Sequence, residues 1–152
     1  MSPRDENTAV PLPVLPALNH LRGLNPTKLH VSTTRTDRSG RIHERILLRE
    51  LGWEPGSRMD MDTLHGMIVI AATPTGQHTI DHRNTIKLPA SLRRLCGINY
   101  GPPLVLAAAI PEQVMIVHPA AVVAQLLSTH YTELIQSHQT CAETNPADRH
   151  SP

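Results

Sequence analysis

One stretch of this chain occurs twice. Asp37-Arg38-Ser39-Gly40-Arg41-Ile42 aligns with Asp81-His82-Arg83-Asn84-Thr85-Ile86 at a spacing of 44 residues, and Leu51-Gly52-Trp53-Glu54-Pro55-Gly56 aligns with Cys96-Gly97-Ile98-Asn99-Tyr100-Gly101 at 45. A unit of about 45 residues lies near the lower limit for independent folding, so one copy cannot bury its apolar face alone. The short connector Pro74-Thr75-Gly76 holds the copies at high effective concentration and favours their folding on each other within one chain. The duplication therefore predicts an intramolecular pseudo-dimer of residues 31–73 and 75–119. The one-residue difference in spacing is assigned to a shorter helix in the first copy.

The second copy shows the elements most plainly. Thr79, Ile80, Thr85, Ile86 and Leu88 flank an Asp-His-Arg-Asn turn and predict a short hairpin. Pro89 suits the first position of a helix, Gly97 its left-handed C-terminal cap, and Ile98 the apolar contact beyond that cap. Leu104 to Ile110 and Val114 to Val117, broken by Pro111, Glu112 and Gln113, predict a second hairpin. In the first copy Arg58-Met59-Asp60-Met61-Asp62 alternates as a half-exposed strand does, His65-Gly66 makes a turn, and Met67 to Ala71 closes the unit. Aromatic residues are 2% of the chain and Phe is absent, so the core must be built from Val, Ile, Leu, Met and Ala.

Residues 1–30 carry Pro3, Pro11, Pro13, Pro16 and Pro26 with little periodicity and read as a disordered, proline-rich arm. Their apolar run is too short and too proline-broken for a signal sequence or a membrane span, so the expected location is the cytoplasm, with no membrane partner. Residues 120–137 place Val123, Leu126, Leu127, Tyr131, Leu134 and Ile135 on one side of an amphipathic helix. That helix either packs on the repeats or pairs with its mate from another subunit, giving a homo-oligomer. Residues 138–152 return to polar sequence and read as a disordered tail.

Several chemistries lack their residues. Cys96 and Cys141 have no metal or redox spacing and read as reduced thiols. Of the ten histidines, His78 and His82 flank or lie in a strand, where four residues span about 13 Å, too far to share one zinc. No nucleophile setting and no glycine-rich phosphate loop appears, so neither an enzyme nor a cofactor is expected. The net charge of +1 means that any basic surface must be local. The first copy balances six arginines against six acids; the second has four basic residues against Asp81 and Glu112.

The second copy, through Asp81, Asn84, Ile86, Leu88, Pro89, Leu92, Arg93, Arg94, Gly97, Ile98 and Gly101, resembles the AbrB/MazE/SpoVT swapped-hairpin DNA-binding domain. The resemblance implies a mainly β fold with short helices, a pseudo-dimeric β-barrel from two tandem repeats, followed by the C-terminal helix. It implies a transcriptional regulator that binds double-stranded DNA, associated with the nucleoid when bound. The family's DNA-contacting basic positions match Arg35, Arg41 and Arg49 in the first copy and Arg93 and Arg94 in the second. The second copy departs at His78, Thr79 and Thr85, where Arg38, Arg83 and Lys87 stand nearby as substitutes. The resemblance also implies an alternative, an antitoxin whose C-terminal segment wraps a partner toxin; residues 120–137, with the single acid Glu133, fit that less well. A third reading leaves the arginines as a solvated face with ion pairs such as Glu44 with Arg49, in a protein-interaction module without DNA binding.

Overall fold

The structure, a computed structural model, describes residues 14–19 and 21–144. The chain divides into two units, Met1–Ala120 and Ala121–Pro152. The first holds α1 (Leu15–Asn19), a 3-10 turn (Pro26–Lys28), β1 (Leu29–Thr34), β2 (Arg41–Ile42), α2 (Arg45–Leu51), β3 (Arg58–Leu64) and β4 (Met67–Ala72). It continues with β5 (His78–Thr79), β6 (Ile86–Lys87), α3 (Ala90–Cys96), β7 (Leu104–Ala109) and β8 (Val114–Pro119). The described residues of the second unit form one helix, α4 (Ala120–Thr144), which begins at the last residue of the first unit.

Six strands form one antiparallel sheet in the order β1-β7-β8-β4-β3-β5, and β2 pairs with β6 in a separate two-stranded ribbon. The order reads the same from either end if the two copies are exchanged. β1 of the first copy lies on β7 of the second, with Leu29 opposite Ala109 and Thr34 opposite Leu104. β5 of the second lies on β3 of the first, with Arg58 opposite Thr79, and β4 meets β8 at the centre. The copies thus share one sheet through strands that each contributes to the other.

This pairing corrects the expected hairpin around the Asp-His-Arg-Asn turn and its counterpart in the first copy, whereas the hairpin of β7 and β8 is formed as expected. β1 and β2 are joined by a turn and one isolated bridge, Thr36 to Ile42, after which each strand leaves for the other copy. The reason is burial: Ile42 and Ile86 are register partners in the β2–β6 ribbon, and each is 1% exposed. Pairing within one copy would not bring these two side chains face to face. The sheet is open, since β1 and β5 lie at its two ends, so the expected closed barrel is not formed. With α4 running for 25 residues, the fold is mixed α and β rather than mainly β.

The helix C-termini follow the sequence signals, while the expected shorter helix of the first copy and Pro89 as a first helical residue are corrected. Gly52 and Gly97 cap α2 and α3 in the left-handed conformation. Beyond each cap, Trp53 N–H donates to Leu48 O at 2.9 Å and Ile98 N–H to Arg93 O at 2.8 Å, the closing bond of a Schellman motif. Both helices have seven residues, so the extra residue of the second copy lies before the helix, where Lys87-Leu88-Pro89 stands for His43-Glu44. Pro89 is the N-cap of α3 rather than its first residue and makes no side-chain capping bond. Glu44 caps α2 by accepting from Ile46 N–H and Leu47 N–H at 2.8 and 3.3 Å, a carboxylate placed where the helix dipole favours it.

The main core is aliphatic. Leu47, Leu48 and Leu51 from α2, Met59, Met61, Ile68 and Ile70 from β3 and β4, and Leu104, Leu106 and Met115 from β7 and β8 pack together, with Trp53 as its aromatic residue. Trp53 Nε1 donates to Gln113 Oε1 at 2.8 Å, and Gln113 Nε2 donates to Leu51 O at 2.9 Å, tying the loop after α2 to the β7–β8 turn of the other copy. The β3–β4 turn has positive φ at both His65 and Gly66, the two-residue arrangement that matches strand twist.

A second cluster covers the opposite face of the sheet. Val14, Val69, Ala71 and Val114 are buried together, with Ala17, Leu18, Leu21 and Ile116 packed against them. β4 is therefore buried on both faces, which is why Ile68, Val69, Ile70 and Ala71 are continuously apolar. Residues 14–19 and 21–30, expected to belong to a disordered arm, instead hold α1, the 3-10 turn and the start of β1; the remainder of that arm lies outside the described residues. The expected tail is also partly helical: α4 continues through His138 to Thr144, and residues 145–152 lie outside the described residues.

Candidate nucleic-acid interface

The two turns after β1 and β5 are the same structure built twice. Asp37 Oδ1 accepts from Ser39 N–H and Arg41 N–H, both at 2.9 Å; Asp81 Oδ1 accepts from Arg83 N–H and Thr85 N–H, both at 3.0 Å. Asp37 N–H donates to Arg41 O and Asp81 N–H to Thr85 O, closing each loop. The third residue after each aspartate is left-handed, Gly40 at φ 85° and Asn84 at φ 60°, the conformation that glycine and asparagine tolerate best. Each carboxylate is thus held in its turn by backbone donors.

Those bonds favour the ionised acids. The His43 ring, at 2.9 Å from Asp37 Oδ2, and the Arg41 N–H hold Asp37 well below the usual carboxylate range. The Thr85 hydroxyl, donating to Asp81 Oδ2 at 2.6 Å, is the main reason that Asp81 falls from 3.8 to about 2, with Arg41 adding to it.

The tips differ across the pseudo-twofold. Arg41 Nε reaches Asp81 Oδ2 at 3.3 Å and its Nη1 donates to the Ser39 hydroxyl at 2.7 Å. Thr85, at the matching position, is 1% exposed and serves only its own aspartate. Arg93 Nε donates to Leu88 O at 3.0 Å, and its guanidinium lies against Gly40, where a methyl group would come within 2.5 Å of Nε. Leu88 N–H in turn donates to Gly40 O at 2.9 Å. Of the residues that the family resemblance assigned to DNA, Arg41 and Arg93 are therefore committed to joining the copies.

The other basic residues are differently placed. Arg35 donates to Gly101 O and Arg38 lies 5.4 Å over the Tyr100 ring, so the first turn docks on the loop after α3. Arg49, Arg83, Lys87 and Arg94 are exposed. Among the described residues none of these six has a carboxylate partner: the ion pairs are His30–Glu50, Arg41–Asp81 and His43–Asp37. The Glu44–Arg49 pair of the solvated-face reading is not formed, because Glu44 is occupied by the α2 N-terminus and by the Ser32 hydroxyl at 2.7 Å.

Arg45 is not among the expected DNA-contacting residues. It lines one cleft with Arg49, Trp53, Glu54, Pro55 and Asn84, and its spacing of four from Arg49 on a helix was the available signal. Lys87 stands opposite Arg41 in the ribbon and lines a second cleft with Gln77, His78, Thr79 and Pro89.

Charge is sharply divided by this arrangement. Residues 35–49 and 81–94 carry nine Lys or Arg against three acids, while the rest of the chain carries five against ten. The overall charge of +1 conceals a strongly basic ribbon and helix pair on an acidic remainder.

Among the described residues no group of three His, Cys, Asp or Glu is placed to hold a metal ion. Burial pushes the Cys96 thiol up, and Cys96 packs on the main core. No helix among the described residues is long and apolar enough to cross a membrane. Comparison with protein-family models, with curated proteins and with solved structures gives no match for this chain.

Proposed function

We propose that this chain is a DNA-binding transcriptional regulator, a single-chain counterpart of the AbrB-like swapped-hairpin domain, that acts by binding rather than by catalysis. The observation that carries the reading is the number of basic groups without a carboxylate partner on the β2–β6 ribbon, its two turns and the helices α2 and α3. Arg35, Arg38, Arg49, Arg83, Lys87 and Arg94 have no carboxylate partner among the described residues, and the turn aspartates are spent on backbone N–H donors. The exchange of β1 and β5 between copies supports the swapped-hairpin reading.

In this reading Arg41 and Arg93, with Arg35 through Gly101 O, fix the geometry, and the other exposed cations do the binding. Guanidinium groups pair in two-point fashion with phosphate and with guanine edges. The two turns present different residues, Arg38 and Ser39 against His82 and Arg83, so the preferred DNA element is not a perfect palindrome.

Fluorescence anisotropy with a duplex of about 25 base pairs, titrated at several salt concentrations, tests the proposal. Neutralising about five phosphates gives a slope of log K against log salt near −4.5. Absence of binding at low salt, or binding indifferent to salt, ends it.

A further inference from the structure

The helix α4 presents an apolar stripe that its own unit leaves bare. Leu126, Leu127, Tyr131, Leu134 and Ile135 are between 44% and 57% exposed. A helix of 25 residues is about 37 Å long, and Ser128, Thr129, Thr132, Ser137 and Thr140 within it are poor helix formers. Such a segment is marginal as an isolated helix in water and draws its stability from covering an apolar face. The exposed side chains amount to a patch on the order of a few hundred Å², the size that marks an interaction surface.

The pattern of the stripe narrows what covers it. Ala124, Leu127, Tyr131, Leu134, His138 and Cys141 follow at steps of three, four, three, four and three, the repeat that keeps one seam facing a partner helix of the same pitch. Between residues 120 and 144 there is no Lys or Arg, and the acids are Glu133 and Glu143 alone. A bilayer surface would need a basic polar face, and a charged partner would find little to pair with. A second α4 needs neither, and brings no opposed like charge along the seam.

We propose that α4 pairs with α4 of a second copy of this chain along Leu127, Tyr131 and Leu134, making the protein a homodimer. The inference stands independently of DNA binding. Each dimer then carries two complete ribbons, and engagement of one raises the effective concentration of the other.

Light scattering of the full chain at about 50 µM tests it, read against the chain mass of 16.7 kDa. The proposal expects twice that mass, and a return to the single mass when Leu127→Asp and Leu134→Asp are combined. Trp53 fluorescence, which reports the buried core of the first unit, is expected to stay unchanged in that variant; should it change, Tyr131→Lys alone carries the same test. A single mass for the unaltered chain overturns the proposal. So does a doubled mass that survives the substitutions, which would put the contact elsewhere.

Discussion

Gly76 lies in the three-residue connector between the copies, and replacing it by alanine should be costly for a reason unrelated to backbone torsion. A methyl group there would come within 2.4 Å of the Met59 carbonyl carbon and 2.5 Å of its nitrogen and oxygen. These are backbone atoms of β3 and cannot swing aside, so the connector and strand must part by roughly 1 Å to restore ordinary contact. The separation strikes a specific set of bonds: Arg58 Nε to Gly76 O at 2.8 Å, Gln77 N–H to Asp60 Oδ1 at 3.3 Å, and the two-residue pairing of β5 with β3. At about 0.5–1.5 kcal/mol net for each weakened bond, Gly76→Ala should destabilise by about 2–4 kcal/mol. Gly52→Ala is the control. Gly52 has φ 74° with nothing within 4 Å of an added methyl group, so it carries the left-handed penalty alone, about 1–2 kcal/mol. Urea unfolding followed by Trp53 fluorescence gives both values on one scale. If Gly76→Ala costs no more than Gly52→Ala, the connector is not pressed against β3, and the close junction of the copies is wrong.

Three other outcomes follow from the same geometry. Arg49→Ala and Arg94→Ala should each weaken duplex binding by about tenfold and lower the salt slope by about one, with the urea midpoint unchanged; an unchanged affinity would make these residues part of a solvated face. Gly40→Ala should cost about 1 kcal/mol more than Gly52→Ala, because Arg93 must leave Leu88 O, and the excess should vanish in an Arg93→Ala background; its persistence there would refute the Gly40–Arg93 contact. Folding lowers the Asp81 pKa from 3.8 to about 2, so its contribution is complete above pH 4 and is lost as pH falls towards 2. Asp81→Asn should therefore flatten the stability profile in that window, measured as the urea midpoint from pH 2 to 5; a profile as steep as the unaltered protein's would contradict the assignment.

What the sequence made legible was local chemistry. Gly52 and Gly97 marked helix ends because few other residues adopt the left-handed cap cheaply, and Trp53 and Ile98 confirmed each end by burying the residue beyond it. The Asp-x-x-Gly and Asp-x-x-Asn turns were readable for the same reason. The partner of each strand was not. β1 reads no differently whether it pairs with β2 or with β7, and only the joint burial of Ile42 and Ile86 decides. α1 went unseen because a five-residue helix following a proline-rich run has too little length for a period to emerge. The C-terminal end of α4 was placed too early because Ser, Thr, Gln and His dominate there, and their helix propensity is weak.

The basic site was half legible. Arginines near the turns and helices announced themselves by type and position, and the copies' different charge balance showed that they were not equivalent. Whether a given guanidinium is available depends on three-dimensional neighbours. Arg41 meets Asp81 forty residues away and Arg93 meets Gly40 across the copies, contacts that no spacing rule gives.

The most direct test of the account is a two-dimensional amide NMR titration of the full chain with a short duplex. The account predicts that the largest shifts fall in residues 35–49 and 81–94, in both copies at the same equivalents of DNA. Shifts confined to one copy or to other parts of the chain, or none at a DNA excess in low salt, would contradict it.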